Sequence, residues 1–256
     1  MLTTPHGDSA LTDSLTRLRI LATLALIGTP LYLLQGSRLR RTTPRLPEVS
    51  GPRRGRIEGE PPPLKLLAIG ESPLAGVGLD APEHIVIARL AMKMAGRSRR
   101  AAHWSVIARG GVTVADTNPG LLSQVPESEV DLVLIALGVN DCLQLTGARR
   151  WQKGLKDLLD GLAERCQPRL VIMAGVPPMQ HFPALPQPLA GMLGLRARML
   201  DAGAADVASA RTGVMHVPMI FDGRSPELFC RDGFHPCAHG HQVWADQLAE
   251  VIESRL

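Results

Sequence analysis

A strand and a turn can be recognised in Lys65-Leu-Leu-Ala-Ile-Gly-Glu-Ser-Pro-Leu-Ala-Gly-Val-Gly78. The apolar run Leu64–Ile69, broken by one lysine, predicts a buried strand that stops just before the serine. Small residues follow, and a helical pattern begins near Pro82. A serine on such a turn lies at the carboxyl edge of a sheet, where open α/β folds bind ligands. Because the turn also offers backbone N–H groups that can bind an oxyanion, Ser72 is a candidate nucleophile.

The chain from residue 64 onward alternates short apolar runs with amphipathic stretches. The apolar runs predict strands over Leu64–Ile69, His103–Ala108, Asp131–Leu137, Arg169–Ala174 and Val214–Val217. Helices are predicted near Pro82–Gly96, Thr113–Leu122, Ala148–Arg165, Pro188–Ala202 and His241–Ser254. Strands that alternate with helices indicate a parallel sheet covered on both faces. The predicted fold is therefore α/β, a three-layer α/β/α sandwich with a five-stranded parallel sheet.

The composition is that of a globular protein. Its 256 residues suffice for one domain with a substantial core. Aromatic residues make up only 3%, which argues against stacked-ring platforms for carbohydrate or single-stranded nucleic acid. Residues 1–60 contain nine arginines and five acidic residues, whereas the rest of the chain contains 19 basic and 19 acidic residues. The basic character therefore belongs to the N-terminal segment, and nucleic acid is not expected as a partner.

The first 63 residues differ from the rest of the chain. Ile20–Leu34 is apolar and flanked by arginines, but its 15 residues fall short of the roughly 20 that span a bilayer. It predicts either a membrane anchor or interfacial helix, or a helix packed on its own domain. The arginines after it would place the protein in the cytoplasm or on the cytoplasmic face of a membrane. Residues 42–63, rich in Pro and Gly, predict a linker, so the expected division is 1–63 and 64–256.

Three later sites follow predicted strands or precede the last helix. A glycine in Ala108-Arg-Gly-Gly-Val-Thr113 lets the backbone approach a ligand and offer an N–H. In Leu137-Gly-Val-Asn-Asp141, Asn140 can direct its amide at a developing negative charge. In Arg231-Asp-Gly-Phe-His-Pro236 the aspartate and histidine are three residues apart, so a turn can join carboxylate and imidazole. Together these groups could activate a serine.

In these four blocks the chain resembles the SGNH/GDSL hydrolase superfamily over about residues 64–250. The resemblance implies the SGNH (flavodoxin-like) sandwich and a serine hydrolase that needs no cofactor or metal. It assigns Ser72 as nucleophile, His235 as base and Asp232 as the residue that orients the base. The Ser72 and Gly111 amides and the Asn140 side chain would form the oxyanion hole, with Gly110 as the alternative glycine.

The implied substrate is a small-molecule acyl ester or a lipid-like ester, and the anchor interpretation adds membrane contact through residues 20–34. A carbohydrate acetylesterase of the same superfamily is an alternative. A non-catalytic flavodoxin-like module, with Gly70–Gly78 around the phosphate of a nucleotide or flavin, is another. The first block departs from the superfamily, since Glu71 stands where Gly-Asp-Ser has aspartate. A tethered scaffold with an inactive site is the third alternative.

The histidines and cysteines near the C-terminus allow two further interpretations. A metal could be held by a group drawn from Cys230, His235, Cys237, His239 and His241. Such a site would compete for the histidine that a serine nucleophile requires, so we expect no metal. Two of these cysteines, Cys230 and Cys237, could pair in an oxidising compartment, or all four cysteines of the chain could be reduced thiols.

Overall fold

A computed structural model of the chain describes residues 30–219 and 225–253. It divides the chain into two units, Met1–Thr43 and Pro44–Leu256. In the first unit, residues 30–42 are helical, and the side chains of Leu31, Leu33 and Leu34 are exposed. Positions 20–29 of the predicted apolar segment lie outside the described residues. Among the helices that are described, none has the length and apolarity needed to cross a bilayer.

The described residues of the second unit form one sheet of six strands. They are β1 (Arg54–Ile57), β2 (Glu60–Gly70), β3 (Arg100–Ala108), β4 (Leu132–Ala136), β5 (Leu170–Ala174) and β6 (Val214–Val217). Their order across the sheet is β1-β3-β2-β4-β5-β6. Five strands are parallel and only β1, at the edge, is antiparallel to its neighbour β3. The predicted α/β fold with five parallel strands is confirmed, and β1 adds a sixth.

Helices cover both faces of the sheet. The longer ones are α1 (Val86–Ser98), α2 (Val139–Leu143), α3 (Ala148–Cys166), α4 (Leu189–Ser209) and α5 (Ala238–Glu253). Short helical turns lie at Pro82–His84, Val114–Asp116, Thr117–Leu121, Leu122–Gln124, Met179–His181 and Pro226–Leu228. One core joins α1 and α5 to alternate residues of β2 and β4, such as Leu66 and Leu134. The alternating residues of the same strands, such as Leu67 and Ile135, lie on the opposite face of the sheet, which α3 and α4 cover, and are equally buried.

Two predicted helices differ from the structure. The one near Thr113–Leu122 is broken into three short turns. Pro119 lies inside it and cannot donate the backbone N–H that a continuous α-helix needs. The predicted helix Pro188–Ala202 continues to Ser209, because small apolar residues keep its inner side buried to the end.

Residues 44–63 are not the linker that their composition predicts. Val49 is only 5% exposed and packs in the main core. The carbonyl of Pro47 accepts a hydrogen bond from the Gly78 N–H at 2.9 Å, and β1 pairs with β3. The second unit therefore begins at Pro44 rather than at residue 64. We call residues 44–53, which precede β1, the strap.

Candidate active site

Ser72 lies in a tight turn at the carboxyl end of β2. The Glu71 N–H donates to the carbonyl of Ala136 at the end of β4, at 3.1 Å. A Cβ added to Gly70 would lie 2.0 Å from the same carbonyl oxygen, so only glycine allows this approach. The N–H groups of Leu74 and Ala75 then turn back to the Glu71 carbonyl. This path places the serine at the edge where the parallel strands β2 and β4 end.

The structure brings the predicted serine, histidine and aspartate into one hydrogen-bonded chain. His235 Nε2 lies 3.0 Å from Ser72 Oγ, although 163 residues separate them in sequence. His235 Nδ1 lies 2.6 Å from Asp232 Oδ2. The other carboxylate oxygen of Asp232 accepts the backbone N–H groups of Phe234 at 2.9 Å and His235 at 3.0 Å. Carboxylate, imidazole and hydroxyl are thus in the order that serine activation requires.

The environment of Asp232 keeps its side chain ionised. Burial by itself raises the pKa of this carboxyl, because the residue is only 5% exposed. Hydrogen bonds from the His235 ring and from two backbone N–H groups outweigh burial and lower the pKa below its usual value. An ionised Asp232 accepts a hydrogen bond from the Nδ1–H of His235, so the Nε2 lone pair is directed at the Ser72 hydroxyl.

Three hydrogen-bond donors predicted for an oxyanion hole remain available. The backbone N–H groups of Ser72 and Gly111 donate to no residue that the structure describes. The Gly110 N–H, by contrast, is bound to Glu48 Oε1 at 2.9 Å, so the geometry favours Gly111 over Gly110 as the donor. Asn140 Nδ2 donates to Glu71 Oε2 at 2.5 Å. Since an amide carries two N–H groups, the second N–H of Asn140 is left for a ligand.

Comparison with known proteins agrees with this geometry. A model of the GDSL-like lipase/acylhydrolase family matches residues 68–243. The chain belongs to this family. As a member of it, the chain is an ester hydrolase by class. No curated protein sequence matches the chain significantly.

Solved structures share the fold of this GDSL-like protein at low sequence identity. TesA is 22% identical with a TM-score of 0.57, and the match covers 75% of this chain and 99% of that one. The lipase Lip_vut3 from a goat rumen metagenome is 21% identical with a TM-score of 0.56, covering 73% and 96%. A carbohydrate esterase family 2 enzyme from Corynascus thermopiles is 17% identical with a TM-score of 0.58, covering 77% and 68%.

Glu71, where this GDSL-like protein departs from the usual aspartate, is a buried hydrogen-bond acceptor. Its two carboxylate oxygens accept the backbone N–H of Val139 at 3.0 Å and both the backbone N–H, at 3.1 Å, and the side-chain N–H of Asn140. The longer side chain therefore reaches the first turn of α2 and fixes Asn140. Burial raises the pKa of Glu71 to about 7 despite these bonds, and the neighbouring Asp141 adds to the rise. The sequence marked Glu71 only as a departure and did not predict this contact.

An apolar cleft opens beside the serine. Every phenylalanine that the structure describes lines it: Phe182, Phe229 and Phe234. Phe182 makes edge-to-face contacts with the other two, at centroid distances of 5.3 and 5.2 Å. Trp244 of α5 and Pro177 also line the cleft. The loop after β5 therefore supplies part of the lining, and the aromatic cluster escaped prediction because its members are far apart in sequence.

The structure also bears on two other interpretations, a phosphate-binding loop at Gly70–Gly78 and a metal site near the C-terminus. In the Gly70–Gly78 loop, a Cβ added to Gly76 would lie 2.6 Å from Val49, and one added to Gly78 would lie 2.8 Å from Leu46. These glycines face the strap, so packing explains them without a bound phosphate. His241 is fully buried, and its Nδ1 accepts the Val86 N–H at 3.2 Å. Within the described ranges, no group of three or more side chains is arranged to hold a metal.

Proposed function

We propose that this protein hydrolyses carboxylic acyl esters through an acyl-enzyme formed on Ser72. The observation that carries the proposal is the continuous chain Asp232–His235–Ser72, with distances of 2.6 and 3.0 Å, next to free N–H donors. Family membership fixes the reaction class as ester hydrolysis. The geometry supports the residue roles.

In the first step, Ser72 Oγ forms a bond to the ester carbonyl carbon and its proton passes to His235 Nε2. The carbonyl oxygen becomes an oxyanion that the N–H groups of Ser72, Gly111 and Asn140 stabilise. When the carbon–oxygen bond to the alcohol breaks, His235 returns the proton to the leaving alkoxide. Water then attacks the acyl-enzyme: its oxygen bonds to the acyl carbon while one of its protons passes to His235 Nε2. The bond from the acyl carbon to Ser72 Oγ breaks, the carboxylic acid leaves, and His235 returns the proton to Ser72 Oγ.

An apolar acyl group fits the lining of the cleft. Much of the lining consists of the rings of Phe182, Phe229, Phe234 and Trp244. The ionisable side chains in the lining are those of Glu71 and His235. Such a lining stabilises hydrocarbon by burial and offers few partners for sugar hydroxyls. An acetyl ester of a carbohydrate, the second candidate, has a structural neighbour in the family 2 carbohydrate esterase. The apolar cleft favours the acyl ester or lipid-like ester.

The test is turnover of p-nitrophenyl esters from acetate to dodecanoate by the wild-type protein and by Ser72→Ala. We expect a rate maximum beyond acetate and loss of the activity in Ser72→Ala, together with loss of labelling by a fluorophosphonate probe. Equal rates in the two proteins would refute Ser72 as nucleophile. A rate that falls steadily from acetate onward would favour the acetylesterase instead.

We also propose that residues 20–34 contact a membrane surface. The support is the apolar run with its flanking arginines and the exposed side chains of Leu31, Leu33 and Leu34. Co-sedimentation with vesicles of anionic phospholipid should capture the full chain but not a chain that begins at Pro44. If both forms stay in the supernatant, the membrane contact is excluded.

A further inference from the structure

The strap places a pair of charged side chains beside the Gly110–Gly111 turn, which provides one of the proposed oxyanion-hole donors. It lies before the residues that the family model matches, which begin at 68. Val49 anchors it in the core, and the Arg53 carbonyl accepts the Val106 N–H of β3 at 2.9 Å. The side chains of Glu48 and Arg53 are therefore held at the end of β3, immediately before the Gly110–Gly111 turn.

Glu48 and Arg53 bind that turn on both sides. Glu48 Oε1 accepts the Gly110 N–H at 2.9 Å, while Oε2 is paired with the Arg53 guanidinium. Arg53 Nη1 donates to the carbonyl of Ala108 at 2.8 Å. The pair thus fixes a carbonyl and an N–H that are two residues apart, and the backbone between them has little freedom left.

The fixed turn lies against the nucleophile. A Cβ added to Gly110 would lie 3.9 Å from Ser72 Cβ. The next residue, Gly111, has φ +81°, a conformation that glycine adopts at no steric cost, and a Cβ added there would meet no other atom within 4 Å. With the Gly110 N–H bound by Glu48, the Gly111 N–H is the one that remains for a ligand. A small movement of this turn would displace a donor whose contribution depends on its position.

The charges of the pair balance at the site. Burial raises the pKa of Glu48, but the Gly110 N–H and the guanidinium of Arg53 lower it below its usual value, and Arg109 adds to the lowering. Glu48 is therefore ionised, close to where an oxyanion would form. Arg53 offsets this negative charge. Because both side chains are partly exposed, the ion pair adds little to stability, and its importance lies in geometry and charge.

We propose that Glu48 is a positioning residue for the oxyanion hole and that Arg53 is its counter-ion. The inference rests on the proposed function. Glu48 acts through the Gly110 N–H and sets the place of the Gly111 N–H, and Arg53 prevents the Glu48 carboxylate from opposing the oxyanion. The strap is thus part of the catalytic apparatus although it precedes the family domain.

The test compares Glu48→Ala with Glu48→Gln on the full chain, with the exposed Glu58→Ala as control. Glu48→Ala should lower kcat about tenfold or more with KM nearly unchanged, since a displaced donor affects the transition state. Glu48→Gln keeps an oxygen that accepts the Gly110 N–H and should stay within about threefold of wild type. A Glu48→Ala variant with the kcat of the control, or a Glu48→Gln variant as slow as Glu48→Ala, overturns the inference.

A second pair of variants tests the counter-ion. Arg53→Ala should lower kcat, because the uncompensated Glu48 carboxylate repels the oxyanion, and the double variant Arg53→Ala/Glu48→Gln should recover most of the loss. A double variant no faster than Arg53→Ala, measured well below the unfolding temperature of both, contradicts this role. An inactive wild-type protein would instead refute the proposed function, and this inference with it.

Discussion

Two buried carboxylates lie beside the serine, and they differ in what they bind. Asp232 is bonded to an imidazole that can become a cation, and its pKa is lowered against the effect of burial. Glu71 is bonded only to neutral N–H groups, and burial raises its pKa to about 7. The same chemical group is thus a permanent charge in one place and a titrating group in the other.

The difference separates two tasks at one site. In the proposed mechanism, the permanent charge of Asp232 supports the imidazolium that forms on His235 when the serine loses its proton. Glu71 holds Asn140, a task that depends on hydrogen-bond geometry more than on charge. Variants that lack one of the two carboxylates, or its partner, should therefore lose different properties.

The largest effect is expected for Asp232→Asn. An amide opposite Nδ1 favours the wrong tautomer of His235, so kcat should fall by about 10⁴-fold on a p-nitrophenyl ester while the fold is kept. The exposed Asp206→Asn is a matched control and should leave kcat unchanged. A loss of less than tenfold would show that the charge of Asp232 does not serve the reaction.

A smaller loss is expected for Asn140→Ala, which removes the side chain that Glu71 holds. One oxyanion donor disappears, so kcat should fall by about 10²- to 10³-fold with little change in KM. Steady-state kinetics on the same ester give both constants. An increase in KM with unchanged kcat would mean that Asn140 binds substrate and transition state equally.

The smallest effect is expected for Glu71→Gln, measured as stability against pH. Since the folded pKa of Glu71 is raised, the folded protein binds this proton more tightly than the unfolded chain, and wild-type stability should fall as pH rises from about 4.5 to 7. The fall attributable to Glu71 is up to about 3 kcal/mol. Urea unfolding at pH 5 and pH 8 should show this fall in the wild type but not in Glu71→Gln. Parallel curves for the two proteins would show that Glu71 has an ordinary pKa in the fold.

The sequence predicted what local patterns determine. Asp232 and His235 are three residues apart, so one turn joins them, and the uniformly apolar β4 could hardly be anything but a buried strand. The contact of Glu71 with Asn140 spans 69 residues, and that of Glu48 with Gly110 spans 62. Such contacts form only when the sheet is assembled, and no residue pattern along the chain predicts them.

The strand β1 escaped prediction for a related reason. Its sequence, Arg-Gly-Arg-Ile, contains one large apolar residue and is preceded by the prolines and glycines typical of a linker. Pairing with β3 holds it in place, and its own hydrophobicity contributes little. An edge strand of this kind is visible only once its neighbour is known.

The position of β1 has a consequence for how the protein can be shortened. It covers the outer edge of β3, and its two arginines, Arg54 and Arg56, are exposed on a strand of only four residues. A short, charged margin of this sort discourages strand pairing between molecules. A protein shortened to begin at residue 64 would expose the unpaired backbone of β3 to neighbouring molecules and should aggregate. A protein that begins just after Thr43 keeps β1 on that edge.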